Sequence, residues 1–157
     1  MISFKNDYSE GACEAILELM QAENREQHPG YGTDAICEEA RKLILEQIDC
    51  PQAAVHFLVG GTQTNRIVIA NTLRPYEAVI AVETGHINTH ETGAIESSGH
   101  KVIAVPGKDG KILPEAIEQA VAAHPDEHMV KPAMVYISNA TEIGTIYTEQ
   151  ELSLIHI

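Results

Sequence analysis

Three short stretches of this chain carry residues whose types and spacing could do chemistry. The first is Gly60-Gly61-Thr62, which follows an apolar run and precedes a segment with apolar residues at Ile67, Val68, Ala70 and Leu73. A strand, a glycine turn and a helix in that order leave free backbone N–H groups beside the positive end of a helix dipole, a natural seat for a phosphate. A plain tight turn has the same sequence, and the turn alone does not separate the two readings. The second stretch is Glu83-Thr84-Gly85-His86-Ile87-Asn88-Thr89-His90-Glu91. An imidazole at His86 could stack on a planar ligand or move a proton. His86 and His90 also have the spacing that puts two imidazoles on one helical face toward a metal, with Glu91 beside them. No third ligand of a zincin signature accompanies them, and the reading adopted has no metal. The third stretch is Asn139-Ala140-Thr141-Glu142-Ile143-Gly144.

These stretches need elements to hold them. Strand-like apolar runs at 53–59, 78–82, 101–106 and 133–138 alternate with helical patterns at 62–73, 88–97 and 114–123. The alternation predicts crossover connections and a mostly parallel sheet covered by helices on both faces. In such sheets ligands sit beyond the carboxyl ends of the strands, so the three polar stretches should share one rim. Thr62 is expected at the N-cap of its helix, and His56 on a buried strand as a core histidine. His28, His100, His124 and His128 fall in loops or at element ends, where solvated roles are expected.

Ahead of the first strand, Ser9 is expected to cap a helix over 11–23. Thr33 or Asp34 starts a second helix to about Ile48, with Tyr31 between two glycines in the loop before it. The organisation expected is an N-terminal helical segment, 1–48, then the first part of a large α/β domain, 49–152. Thr148 to Glu151 looks like one more helix start. The chain reads as cut inside a domain, with 153–157 as an expected non-native tail.

Composition bounds the function class. In 157 residues, apolar content of 44% argues for a packed core, and aromatic content of 4% makes that core aliphatic. A formal net charge of -13 disfavours nucleic acid and anionic membranes as partners. Cys13, Cys37 and Cys50 form no C-x-x-C pair and are expected to be free thiols in small core roles. The start of the chain lacks a signal-peptide core, and a cytoplasmic location is expected.

In order along the chain, Asp7, Tyr31-Gly32-Thr33-Asp34, Gly60-Gly61-Thr62-Gln63-Thr64-Asn65, the 85–93 stretch Gly-His-Ile-Asn-Thr-His-Glu-Thr-Gly and Asn139-Ala140-Thr141-Glu142-Ile143-Gly144 form a set. That set resembles the threonine aldolase and β-eliminating lyase family of fold-type-I enzymes dependent on pyridoxal 5'-phosphate. The resemblance spans about Ser3 to Leu152. It implies a three-layer α/β/α fold with a mostly parallel sheet, the PLP-dependent transferase-like large domain, here truncated. It implies that Gly60, Gly61 and Thr62 hold the cofactor phosphate, that His86 stacks on the ring and handles a proton, and that Glu91 lies beside it. Tyr31, Thr141 and Glu142 match positions near substrate or a neighbouring subunit.

Two segments depart from the family. Many members read Glu-Asn-Thr-His where Asn139-Ala140-Thr141-Glu142 stands, and Lys5-Asn6-Asp7 replaces an arginine-serine-aspartate start. The departures keep a β-eliminating lyase of another substrate open. None of Lys5, Lys42, Lys101, Lys108, Lys111 and Lys131 matches the family's Schiff-base lysine. The activity implied is cleavage of a β-hydroxy-α-amino acid to glycine and an aldehyde by a homo-oligomer, a dimer or tetramer, with this piece alone inactive. The competing reading is a non-catalytic α/β module that binds a phosphorylated ligand or a partner subunit.

Overall fold

The computed structural model describes Asn6 and residues 9–156; Lys5 and Asp7, both named above, lie outside the described residues. The chain divides into two compact units, 1–57 and 58–157.

The first unit holds α1 (Glu14–Glu23) and α2 (Ala35–Gln47). Cys13, not Ser9, occupies the N-cap of α1, and the Ser9 hydroxyl is turned to Asn6 Oδ1 at 2.6 Å. Asp34 caps α2 as expected: its carboxylate accepts the Cys37 N–H at 2.8 Å, satisfying a first-turn donor. Tyr31 has a positive φ of 63° and a fully exposed side chain. Arg41 secures the loop behind it, donating to the carbonyls of Gly32 and Val55 while its guanidinium lies over the Phe57 ring.

The expected strand at 53–59 is not a strand. A parallel strand exists only through a ladder, and this run has none among the described residues. Its backbone groups go elsewhere: the Val55 carbonyl to Arg41, the Ala53 N–H to the Cys50 carbonyl, and the Val59 N–H to the Gln63 side chain. His56 is accordingly exposed rather than a core histidine.

The second unit is an α/β layer structure. It opens with α3 (Gly61–Thr72), capped by the backbone of Gly60, so Thr62 is the second helical residue and not the N-cap. The sheet has three parallel strands, β1 (Glu77–Val82) at the centre, β2 (Val102–Val105) on one side and β5 (Lys131–Tyr136) on the other. The β1 to β5 register slips by one residue at Pro132, which has no N–H to give the ladder. Between β2 and β5 stand a two-residue hairpin, β3 (Gly107–Lys108) and β4 (Lys111–Ile112), and α5 (Pro114–Ala122), with Pro114 at its start as expected. Asp109 and Gly110 close the hairpin with both φ angles positive, the combination that matches strand twist.

Alternation along β1 assigns its side chains to two cores. Ala78, Ile80 and Val82 face Ile103, Val105, Ile112, Ala120 and Tyr147, with Ile117 of α5 packed against them. Leu152 and Ile155 of α6 (Glu149–Ile155) also pack on that side. Val79 and Ala81 face Ile69 of α3, Leu73 just beyond its end, Ile87 and Ile95. Both sheet faces are therefore covered, as the alternation of elements predicts. The helix expected at 88–97 is instead a single turn, α4 (His86–Thr89), and a short 3-10 turn at Glu96–Ser98, because Thr92 and Gly93 take positive φ between them. His100 is buried, contrary to the solvated role expected, with Nδ1 3.0 Å from the Glu77 carbonyl. All three cysteines are free, and Cys13 is exposed rather than packed in a core.

Candidate active site

His86 is placed by a tight turn off the carboxyl end of the central strand. The Gly85 N–H donates to the Val82 carbonyl at 2.7 Å, and a Cβ on Gly85 would stand 2.9 Å from that same oxygen. Glycine is required there by close approach, and the turn delivers His86 directly to the rim. Nδ1 of His86 is 2.9 Å from Glu91 Oε1, and Asn65 Nδ2 donates to that same oxygen at 2.6 Å. The Glu91 side chain has no exposed surface, whereas that of His86 is 40% exposed. Glu91 Oε2 and the Thr84 hydroxyl are buried with no hydrogen-bond partner among the described residues. A carboxylate only accepts, so with Glu91 in that form the contact requires the ring hydrogen on Nδ1 and leaves the Nε2 lone pair free.

Asn65 belongs to α3, one turn beyond Thr62, so the first turn of α3 and His86 meet on one rim through Glu91. The N–H groups of Gly61, Thr62 and Gln63 find no acceptor among the described residues; the ladder begins with the Thr64 N–H, which donates to the Gly60 carbonyl at 3.0 Å. No acidic residue stands in that first turn, and nothing lies within 4 Å of where a Cβ would stand on Gly60 or Gly61. Open amides at the positive end of a 12-residue helix fit an anionic group. A planar group carrying a phosphate suits the combination of those amides with a half-exposed imidazole held at one nitrogen.

Thr141 follows β5 but spends its hydroxyl on its own turn. It is buried, with Oγ1 2.7 Å from Thr145 Oγ1, and Thr145 in turn donates to the Asp109 carbonyl of the hairpin. Glu142 is exposed. His90 lies beside His86 with ring centroids 5.4 Å apart, and no cluster of three His, Cys, Asp or Glu able to hold a metal occurs among the described residues. Asn65 was visible in the sequence as part of the Gly-Thr-Gln-x-Asn run. What marks it is a poor helix former inside a helix, one turn past Thr62, on a residue able to donate.

A family model described as β-eliminating lyase matches residues 4–156. Low specificity L-threonine aldolases of a Pseudomonas species and of Pseudomonas aeruginosa are each 33% identical over 97% of this chain. The chain spans 44% of the length of each of them. A solved structure of Leishmania major threonine aldolase is 55% identical, with a TM-score of 0.91, over 96% of this chain and 44% of that one.

Proposed function

Since this chain belongs to the β-eliminating lyase family, we propose that it forms the phosphate-holding and ring-stacking part of a pyridoxal-phosphate lyase of the threonine aldolase type. The substrate class is a β-hydroxy-α-amino acid, cleaved to glycine and an aldehyde by a homo-oligomer. The single observation that carries this reading is the shared Glu91 oxygen, which joins an open helix N-terminus to a rim imidazole.

The residues divide the work as follows. The amides of Gly61 and Thr62, with the Thr62 hydroxyl, bind the phosphate, and Gly60 keeps the approach open. His86 packs against the cofactor ring. Glu91 holds the proton on Nδ1, so Nε2 is the atom that accepts the substrate hydroxyl proton. When bound, pyridoxal phosphate supplies the electron sink for breaking the Cα–Cβ bond. Tyr31, Thr141 and Glu142 are proposed near substrate or a neighbouring subunit, with Thr141 acting through the turn it builds.

The placement of Lys101, Lys111 and Lys131 supports the view that this chain alone does not catalyse. Lys101 precedes β2 and Lys131 begins β5, at the rim opposite His86, and Lys111 is engaged with both Glu151 oxygens. The test is cofactor affinity. Thr62→Val removes a hydroxyl donor to a charged group, a contact worth about 1.5–3 kcal/mol, so the dissociation constant for pyridoxal phosphate should rise roughly tenfold or more. Equal affinity in fluorescence titrations of the two proteins would remove Thr62 from the site.

A further inference from the structure

We infer that Asn65 is a positioning residue for His86, acting through Glu91 to keep the ring hydrogen on Nδ1 and the lone pair on Nε2. The inference rests on the proton-handling role of His86 proposed above, and adds a residue that role does not include.

The argument begins with the carboxylate. Glu91 has no exposed side-chain surface, and Oε2 has no partner among the described residues. A buried carboxylate is stable only where donors meet its charge. Both donors here fall on Oε1: the Asn65 amide at 2.6 Å and His86 Nδ1 at 2.9 Å. Asn65 is the permanent donor of the two, because an amide N–H₂ cannot be an acceptor and does not titrate. With that donor in place Oε1 has two partners, and a carboxylate there takes the imidazole hydrogen at Nδ1. Without it, one carboxyl oxygen must hold its charge on the imidazole alone. Glu91 then holds a proton and donates it to Nδ1, and the ring carries its hydrogen outward at Nε2. The Nδ1 hydrogen passes to Glu91, and Nε2, on the half-exposed side of the ring, takes a second proton from solvent, so the pair gains one proton in all. The rim nitrogen becomes a donor and can no longer accept a proton.

The α3 side supports the same role. Asn65 is half-buried at the base of the helix whose first turn is proposed to hold the phosphate, and Ile69, one turn on, packs under the sheet. Its reach to Glu91, 26 residues away, is set by that packing.

The test is the histidine tautomer, read by long-range proton–nitrogen NMR on this chain with labelled histidine and no cofactor. His100 is an internal control, because its Nδ1 faces the Glu77 carbonyl and must carry hydrogen in the folded sheet. In the unsubstituted chain, neutral His86 should be the Nδ1–H form, and the Asn65 side-chain amide should exchange more slowly than an exposed one. In Asn65→Ala, with the His100 signal unchanged, His86 should pass mainly to the Nε2–H form. An Nε2–H His86, or a freely exchanging Asn65 amide, in the unsubstituted chain overturns the inference even if the variant does not fold. An unchanged His86 tautomer in a folded Asn65→Ala overturns it too. Because the measurement needs no cofactor, failure of Thr62→Val to weaken cofactor binding would leave this result standing, and the reverse holds as well.

Discussion

Asn65 of α3 and Glu91 beyond β1 are joined by a 2.6 Å hydrogen bond across 26 residues of sequence. That bond ties the helix start at Gly61 to the imidazole at His86, and it depends on α3 lying correctly against the sheet.

Ile69 is the buried residue of α3, 2% exposed, among Val79, Ala81, Ile87 and Ile95. Ile69→Ala should cost about 2–5 kcal/mol through lost burial and the cavity left behind. It should also loosen the Asn65 to Glu91 contact more than a comparable cavity on the opposite sheet face. Urea unfolding gives the first effect and the exchange rate of the Asn65 side-chain amide gives the second.

Gly85 has no room for a side chain, since an added Cβ would stand 2.9 Å from the Val82 carbonyl oxygen. Gly85→Ala should destabilise the fold by about 1–3 kcal/mol, the usual range for overpacking, and displace His86. Histidine chemical shifts and a denaturation midpoint measured on the same sample check both.

Tyr147 closes the other sheet face. It is 5% exposed, and its hydroxyl accepts the buried Ile112 N–H at 2.7 Å. Burial pushes its phenol above the ordinary tyrosine range. Tyr147→Phe leaves that N–H without an acceptor and should cost about 1–3 kcal/mol in chemical denaturation, with the His86 signals unchanged.

Glu151 supplies a pH dependence. Lys111 Nζ lies 2.9 and 2.8 Å from its two oxygens, and the Thr148 backbone N–H donates to it in a capping box. The Lys111 contact, then the Thr148 bond, lowers its carboxyl from 4.5 to about 2. A depressed folded-state value stabilises above the unfolded value and is lost as pH falls through the folded one. The advantage of the unsubstituted chain over Glu151→Gln should be constant above about pH 4.5 and vanish toward pH 2. Denaturation midpoints of the two proteins across that window would show it, and a gap that persists at pH 2 would count against the assignment.

Much of this was readable from spacing alone. The apolar runs of β1, β2 and β5 and the helical stripes of α2, α3 and α5 are local patterns of period two and 3.6, and the parallel sheet follows from their alternation. Asp34 as a cap and Pro114 as a helix start are equally local, because each satisfies its own neighbours. Glu91 beside His86 was implied by the family resemblance rather than by spacing, and the structure joins the two at 2.9 Å.

Tertiary structure decided the rest. Whether 53–59 becomes a strand depends on a ladder partner, which its own residues cannot specify, and here its carbonyl at Val55 goes to Arg41 instead. Thr141 looks like a rim hydroxyl in sequence, but its bond to Thr145, and that residue's bond to the Asp109 carbonyl, turn it into a turn-builder. Asn65 reads as one polar residue of a helix until packing of Ile69 brings it to Glu91. Local spacing determines which residues can make an element, because propensity and periodicity act within a few positions. Which distant groups share one oxygen is settled only when the elements pack, since the hydrogen bond is specific in angle and distance and the chain between carries no record of it.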